Sequence, residues 1–197
     1  VDEQHRFGVE QRARILGKGK TPDVIVMSAT PIPRTLSMTL YGDLDLSIIG
    51  DMPKGRKPVK TLLRGESKLP DIYKFIIDKS KEGVQSFIVY PLVEESEKLE
   101  LKAAQTYFGE LSTTYFKDIR VGLIHGRMSW NEKEEQMFLF QSKKFDVLIS
   151  TTVIEVGIDI PDANIILIND AHRFGLSQLH QLRGRVGRSS IESYCIL

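Results

Sequence analysis

The run Gln181-Leu182-Arg183-Gly184-Arg185-Val186-Gly187-Arg188 sets two guanidinium groups, Arg185 and Arg188, three residues apart with a glycine beside each. On a helix or a tight turn that spacing points both side chains the same way. Guanidinium groups stay charged and bind oxygen atoms in pairs, so two that converge suit a polyphosphate. Gly184 and Gly187 would let the backbone come close to such a ligand. The competing reading is a solvated basic helix face. Against it, Leu179, Leu182 and Val186 fall at i, i+3 and i+7 as an anchoring apolar stripe, and glycine costs about 1 kcal/mol in a helix interior.

Other groups carry weaker chemistry. Asp2 and Glu3 are adjacent carboxylates; at a strand end one can hold Mg²⁺ while the other orients or deprotonates an attacking water. Ser28-Ala29-Thr30-Pro31 closes an apolar run, which places hydroxyls where a doubly wound sheet collects ligands. Ser150-Thr151-Thr152, with Glu155, Gly157 and Asp159 behind it, closes another; hydroxyls and backbone N–H groups there can bind phosphate, and a carboxylate can bind a ribose hydroxyl. His125-Gly126-Arg127 ends the preceding strand and puts a second polar cluster on the same sheet edge. Gly19-Lys20-Thr21 imitates the end of a phosphate-binding loop, but Arg14 stands where its first glycine belongs and a helical segment precedes it, so a basic turn is the better reading. The four histidines have no metal-ligand spacing and no cysteine partners. Cys195 reads as an inert core thiol, and Trp130 as the cover of a helix start.

Elements that could position these groups are legible from periodicity. Apolar β-rich runs predict strands at 24–27, 59–63, 87–90, 121–124, 147–149, 165–168 and 194–197. Helix-period segments predict helices at 34–41, 70–81, 97–116, 131–141 and 177–186. From residue 59 strand and helix alternate, and the strand runs are too continuously apolar to face water on one side. The pattern is an α/β fold: a parallel sheet covered by helices on both faces. Two glycines, two prolines and three basic residues crowd positions 50–58, which suits neither a helix nor a central strand. A boundary is expected there, with residues 1–50 in one domain, 51–58 a linker and 59–197 a second domain.

The 197 residues include 27 Lys+Arg against 26 Asp+Glu, a formal net charge of +1, and 41% are hydrophobic. That hydrophobic fraction argues against disorder, and no apolar run approaches the roughly 20 residues of a membrane-spanning helix. A membrane partner is not expected. A single cysteine excludes an internal disulfide, and a cytosolic setting is the default. Val1 is no initiator Met, and the chain opens as though cut within a strand, so a fragment of a longer protein is expected. Near-zero net charge speaks against a nucleic-acid partner. The +1 is, however, a cancellation: residues 171–190 hold four Arg and no Asp or Glu, while 94–100 hold four Glu and one Lys.

Taken together and in order, Asp2 to His5, Ser28 to Thr30, Ser150 to Asp159 and Gln181 to Arg188 resemble motifs II, III, V and VI of superfamily-two helicases. Nearly the whole chain takes part. The stretches SATPIPRTL, YGDLDLSIIGDMPKGRKPVKT, EESEKLELKAA and HGRM narrow the resemblance to bacterial translocases that remodel stalled replication forks. The resemblance implies a RecA-like second helicase lobe at 59–197 with motifs IV to VI, preceded by an incomplete first lobe with motifs II and III. It implies an ATP-dependent DNA helicase, using ATP and Mg²⁺, that acts as a monomeric motor on branched DNA such as forks and junctions in the bacterial cytoplasm. By position, Asp2 and Glu3 would be the Mg²⁺ and water-activating pair, and Arg185 and Arg188 arginine fingers. His5, Ser28 and Thr30 would couple nucleotide state to movement; Gly157, Asp159 and Gln181 would meet the nucleotide; His125, Gly126, Arg127, Thr151 and Thr152 would touch DNA backbone. Without a phosphate-binding loop or a wedge domain, this chain alone is expected to be inactive. Three alternatives stay open: a transcription-repair coupling translocase, a nucleotide-dependent enzyme that never touches nucleic acid, and a nucleotide-binding module without motor activity.

Overall fold

In the computed structural model of the protein, the residues described are 10, 14, 17, 23, 25, 27, 47–51, 55–91, 97–151 and 160–197. The chain divides into two compact units, Val1–Gly50 and Asp51–Leu197. The helix read at 34–41 and half of the strand read at 24–27, residues 24 and 26, lie outside the described residues.

Consecutive apolar residues such as Phe87-Ile88-Val89 can be satisfied only in a strand covered on both sides. The second unit supplies that cover. Its six strands are β1 (Lys60–Leu62), β2 (Gln85–Val89), β3 (Val121–Ile124), β4 (Val147–Ser150), β5 (Ala163–Ile168) and β6 (Tyr194–Ile196). Every pairing is parallel, in the order β1-β6-β5-β2-β4-β3. Among the described residues, four α-helices cross between them: α1 (Leu69–Lys81), α2 (Glu97–Thr114), α3 (Trp130–Gln141) and α4 (Leu176–Arg183).

Helix placement follows from handedness. The path from β1 through β2 to β3 steps one way across the sheet by α1 and α2, and it returns through β4, β5 and β6 by α3 and α4. Right-handed crossovers demand that helices change face when the direction reverses. Accordingly Ile72, Ile76 and Leu111 from α1 and α2 pack on Ile88, Ile149 and Ile165. Met137, Phe140 and Leu182 from α3 and α4 pack on Phe87, Leu148 and Ile166 across the sheet. The α/β class read from the sequence is this fold.

Element ends follow local chemistry. Ser129 and Glu132 cap α3 reciprocally: the Glu132 N–H donates to Ser129 Oγ at 3.3 Å and the Ser129 N–H to Glu132 Oε2 at 2.7 Å. Trp130 follows the cap 63% exposed, so it does not cover the helix start, contrary to the expectation from its position. The last helix stops at Arg183, three residues short of the expected 186, because Gly184 caps it and Gly187 takes a φ of 81° that a helix cannot continue through. Gln85 ties β2 to the end of α3 by donating from Nε2 to the carbonyls of Phe140 and Phe145 at 2.6 and 2.8 Å.

Where β3 and β4 begin, Arg120 and Asp146 close the sheet edge with three bonds. The Arg120 backbone N–H and Nε donate to Oδ2 at 2.9 and 3.0 Å, and Nη2 to Oδ1 at 2.6 Å. Burial alone would raise the Asp146 carboxyl, but the guanidinium and the N–H outweigh it and hold its pKa below the usual carboxylate range. A depressed folded-state pKa contributes stability above the ordinary value of about 4 and loses it as pH falls through the folded value. Asp146→Asn should therefore be less stable than the unchanged chain at neutral pH, with the gap closing in acid. Urea denaturation across pH measures this; a gap independent of pH would contradict it.

Candidate functional site

The arginine run is held by packing on its own backbone. Gly175 N–H donates to Gln178 Oε1 at 2.9 Å at the start of α4, and Phe174 and Leu179 pack with buried Leu182 and Val186 in one cluster. The helix unwinds through bonds from Gly184 N–H to His180 O at 3.0 Å and from Arg185 N–H to Leu182 O at 3.0 Å. Arg185 and Arg188 thus lie on a turn beyond the helix, flanking buried Val186 and Gly187, and are themselves half-buried. Arg183, three residues after His180, instead turns back on its own helix, with Nη2 3.0 Å from His180 Nδ1.

Gly187 answers a packing need. Its φ is +81°, and a Cβ there would stand 2.6 Å from Val59 Cγ2. The glycine lets the turn press against the residue that precedes β1, which accounts for it without a ligand. At Gly184, a Cβ would stand 3.3 Å from the Gln181 carbonyl oxygen, a tight fit at an ordinary backbone conformation.

Beyond the arginines the chain is tied down again. Ser189 Oγ and Ser193 Oγ both donate to Asn164 Oδ1 at 2.9 Å, while Asn164 Nδ2 donates to the Asp162 carbonyl at 3.1 Å. Asn164 and Ser193 are fully buried. Lys60 N–H then donates to Ser193 O at 2.8 Å, joining this loop to the start of β1. The arginine turn is fixed at the end of the sheet where the strands begin.

The other polar cluster sits where strands end. Thr151 N–H donates to Ile124 O at 3.3 Å, Tyr90 N–H to Ser150 O at 2.8 Å and Asn169 N–H to Val89 O at 2.9 Å, lacing the ends of β2 to β5. This gathers His125, Gly126 and Arg127 beside Thr151. Arg127 is exposed and Thr151 is buried. Lys133 Nζ donates to Gly126 O at 3.0 Å and steadies the loop from α3. A strand of five residues separates the two edges, roughly 15 Å at the usual rise.

Gln181 is half-buried on α4. Asp2, Glu3, His5, Ser28, Thr30, Thr152, Gly157 and Asp159 lie outside the described residues. Among the described residues no group of three His, Cys, Asp or Glu could hold a metal ion. Burial pushes the Cys195 thiol up to about 11, which leaves it un-ionised and unreactive at neutral pH. Asn164, Ser189 and Ser193 are the residues that reading by motif misses. Their one signal is an amide inside the apolar run 163–168.

Gly187→Ala should destabilise the protein by about 1–3 kcal/mol, from strain at positive φ and from the clash with Val59. Adding Val59→Ala removes Cγ2 and should recover the steric part alone. Equilibrium unfolding of the single and double variants measures both; a Gly187→Ala protein of unchanged stability would contradict the packing account.

Comparison with known proteins places this geometry among helicases. The profile of the helicase conserved C-terminal domain family matches residues 67–190. The chain is 52% identical over 197 residues to the ATP-dependent DNA helicase RecG of Thermotoga maritima and 56% identical over 199 residues to that of Aquifex aeolicus. All of the chain is covered in both cases, and it spans about a quarter of the relatives' length, 25% in each. A solved structure of RecG bound to a three-way DNA junction superposes with a TM-score of 0.78 at 47% identity, over 100% of this chain and 25% of that one. The Mycobacterium smegmatis helicase Lhr, bound to single-stranded DNA and AMP-PNP, shares the fold at a TM-score of 0.66 and 19% identity, over 100% of this chain and 28% of that one.

Proposed function

The chain belongs to the helicase conserved C-terminal domain family, and from that premise we propose that it is part of an ATP-driven DNA motor of the RecG kind. Residues 59–197 are its second RecA-like lobe, 51–58 a linker and 1–50 the end of the first lobe. The motor unwinds or remodels branched DNA, such as stalled forks and recombination junctions, as a monomer in the bacterial cytoplasm. The observation that carries this reading is the arginine turn, with two guanidinium groups flanking a glycine locked against Val59. Identity of 52% to a RecG helicase along the whole chain supports it, as does likeness to a RecG bound to a three-way DNA junction.

Phosphoryl transfer is catalysed mainly by positioning and charge stabilisation. Arg185 and Arg188 meet the γ-phosphate and stabilise the charge that develops on its oxygens. Their preset backbone lowers the entropy lost on binding. Glu3 orients and deprotonates the attacking water; His5, Ser28 and Thr30 relay the nucleotide state. Gly157, Asp159 and Gln181 bind the nucleotide. Asp2 would hold Mg²⁺, which would supply neutralisation of phosphate charge.

His125, Gly126, Arg127, Thr151 and Thr152 grip DNA phosphates, which position the duplex without reading its sequence. The arginine turn and the 125–127 and Thr151 cluster occupy opposite ends of one buried sheet. A lobe drawn in by the γ-phosphate therefore moves its DNA grip as a rigid unit, and hydrolysis releases it.

In the full-length protein, Arg188→Ala should lower kcat of DNA-stimulated ATP hydrolysis about 10³-fold, as loss of an arginine finger does, with ATP binding retained. Steady-state hydrolysis with forked DNA, alongside nucleotide titration, measures this. Undiminished turnover, or no stimulation of the unchanged protein by DNA, would contradict the reading.

A further inference from the structure

The register of β5 contains an irregularity with a specific consequence. Gln85 pairs with Ala163 and Ser86 with Ile165, so Asn164 is an extra residue in β5. Such a bulge breaks the alternation of side chains and re-aims the inserted one. Ala163 joins the cluster under α3 and α4, whereas Ile165, two residues on, joins the cluster under α1 and α2. In a regular strand both would face the same way. Asn164 sits at the change of face.

We propose that Asn164, re-aimed by the bulge, is a positioning residue for Arg185 and Arg188, acting through Ser189; this rests on the nucleotide-facing role proposed for the turn. The amide is engaged at both its oxygen and its nitrogen. Oδ1 accepts from Ser189 and Ser193, and Nδ2 donates to the Asp162 carbonyl, which fixes the amide's orientation. Ser189 is the residue next to Arg188. The turn is thus held on one side by Val186 in the core and Gly187 against Val59, and on the other by Ser189 on Asn164. Loss of that second anchor would remove a restraint on the backbone directly beside Arg188. A bond whose only task was to hold the sheet together would need Ser193 alone, since Ser193 directly precedes β6.

Ser189→Ala in the full-length protein tests this, because it removes one half-buried hydroxyl and leaves the Asn164–Ser193 bond in place. Hydrogen exchange at amides 185–188 should quicken roughly fivefold, the worth of about one hydrogen bond, with exchange in β2 and β4 unchanged. The kcat for ATP should fall severalfold while KM stays within about twofold, the signature of an interaction that matters in the transition state. Ser189→Thr should restore both, and Asn164→Ala should exceed Ser189→Ala. Unchanged exchange at 185–188 in Ser189→Ala would overturn the proposal, as would exchange quickened equally throughout the sheet. Local quickening in a protein whose unchanged form shows no ATP hydrolysis would support the positioning role and overturn the proposed function instead.

Discussion

Strands β2, β4 and β5 are buried at every residue, and a polar side chain on a strand buried on both faces has no water to fall back on. Such side chains can be tolerated only where a backbone group or another polar chain lies within reach, and those partners occur at strand ends. Gln85 and Asn164 stand at the beginnings of β2 and β5 and Ser150 at the end of β4. Among the described residues of these strands, Ser86 Oγ and Gln85 Oε1 are buried without a hydrogen-bond partner, although Gln85 Nε2 is paired. All the chemistry of this lobe is consequently pushed to two edges of one sheet.

The two edges are built differently. Where strands end, backbone N–H groups of Tyr90, Thr151 and Asn169 lace neighbouring strands, with His125, Gly126 and Arg127 following β3. That arrangement suits a long, repetitive ligand such as a phosphate backbone. Where strands begin, one loop is folded down and clamped through Val59, Asn164 and Ser193, and it carries both arginines. That arrangement suits a small ligand met in one geometry. A parallel sheet packed on both faces joins them as one stiff body, which the proposed motor function would need if events at one edge are to move the other.

Sequence periodicity reveals the sheet because its cause is local. Val121–Ile124 is found as read, and the other five strands of the second unit differ by one or two residues at one or both ends. Polar groups at 125–127 and at 151 are legible for the same reason, since a strand that ends in Ser-Thr or His-Gly-Arg announces its edge. The arginine turn is legible in composition and misjudged in shape. Its helix ends at Arg183 under the Gly184 cap, while the packing of Gly187 on Val59, a residue 128 positions earlier, is a contact that nothing local encodes. Asn164 is hidden more deeply still, because a bulge is a property of register between strands.

The account stands or falls on whether the clamped turn meets the phosphates of ATP. The most direct measurement is a crystal structure of the full-length protein with Mg²⁺ and a non-hydrolysable ATP analogue. The account predicts a guanidinium nitrogen of Arg185 or Arg188 within about 3 Å of a γ-phosphate oxygen, with Gly187 still against Val59 and Ser189 still on Asn164. A nucleotide bound with both arginines far from its phosphates, or a turn that leaves Val59 and Asn164 to reach them, would contradict it.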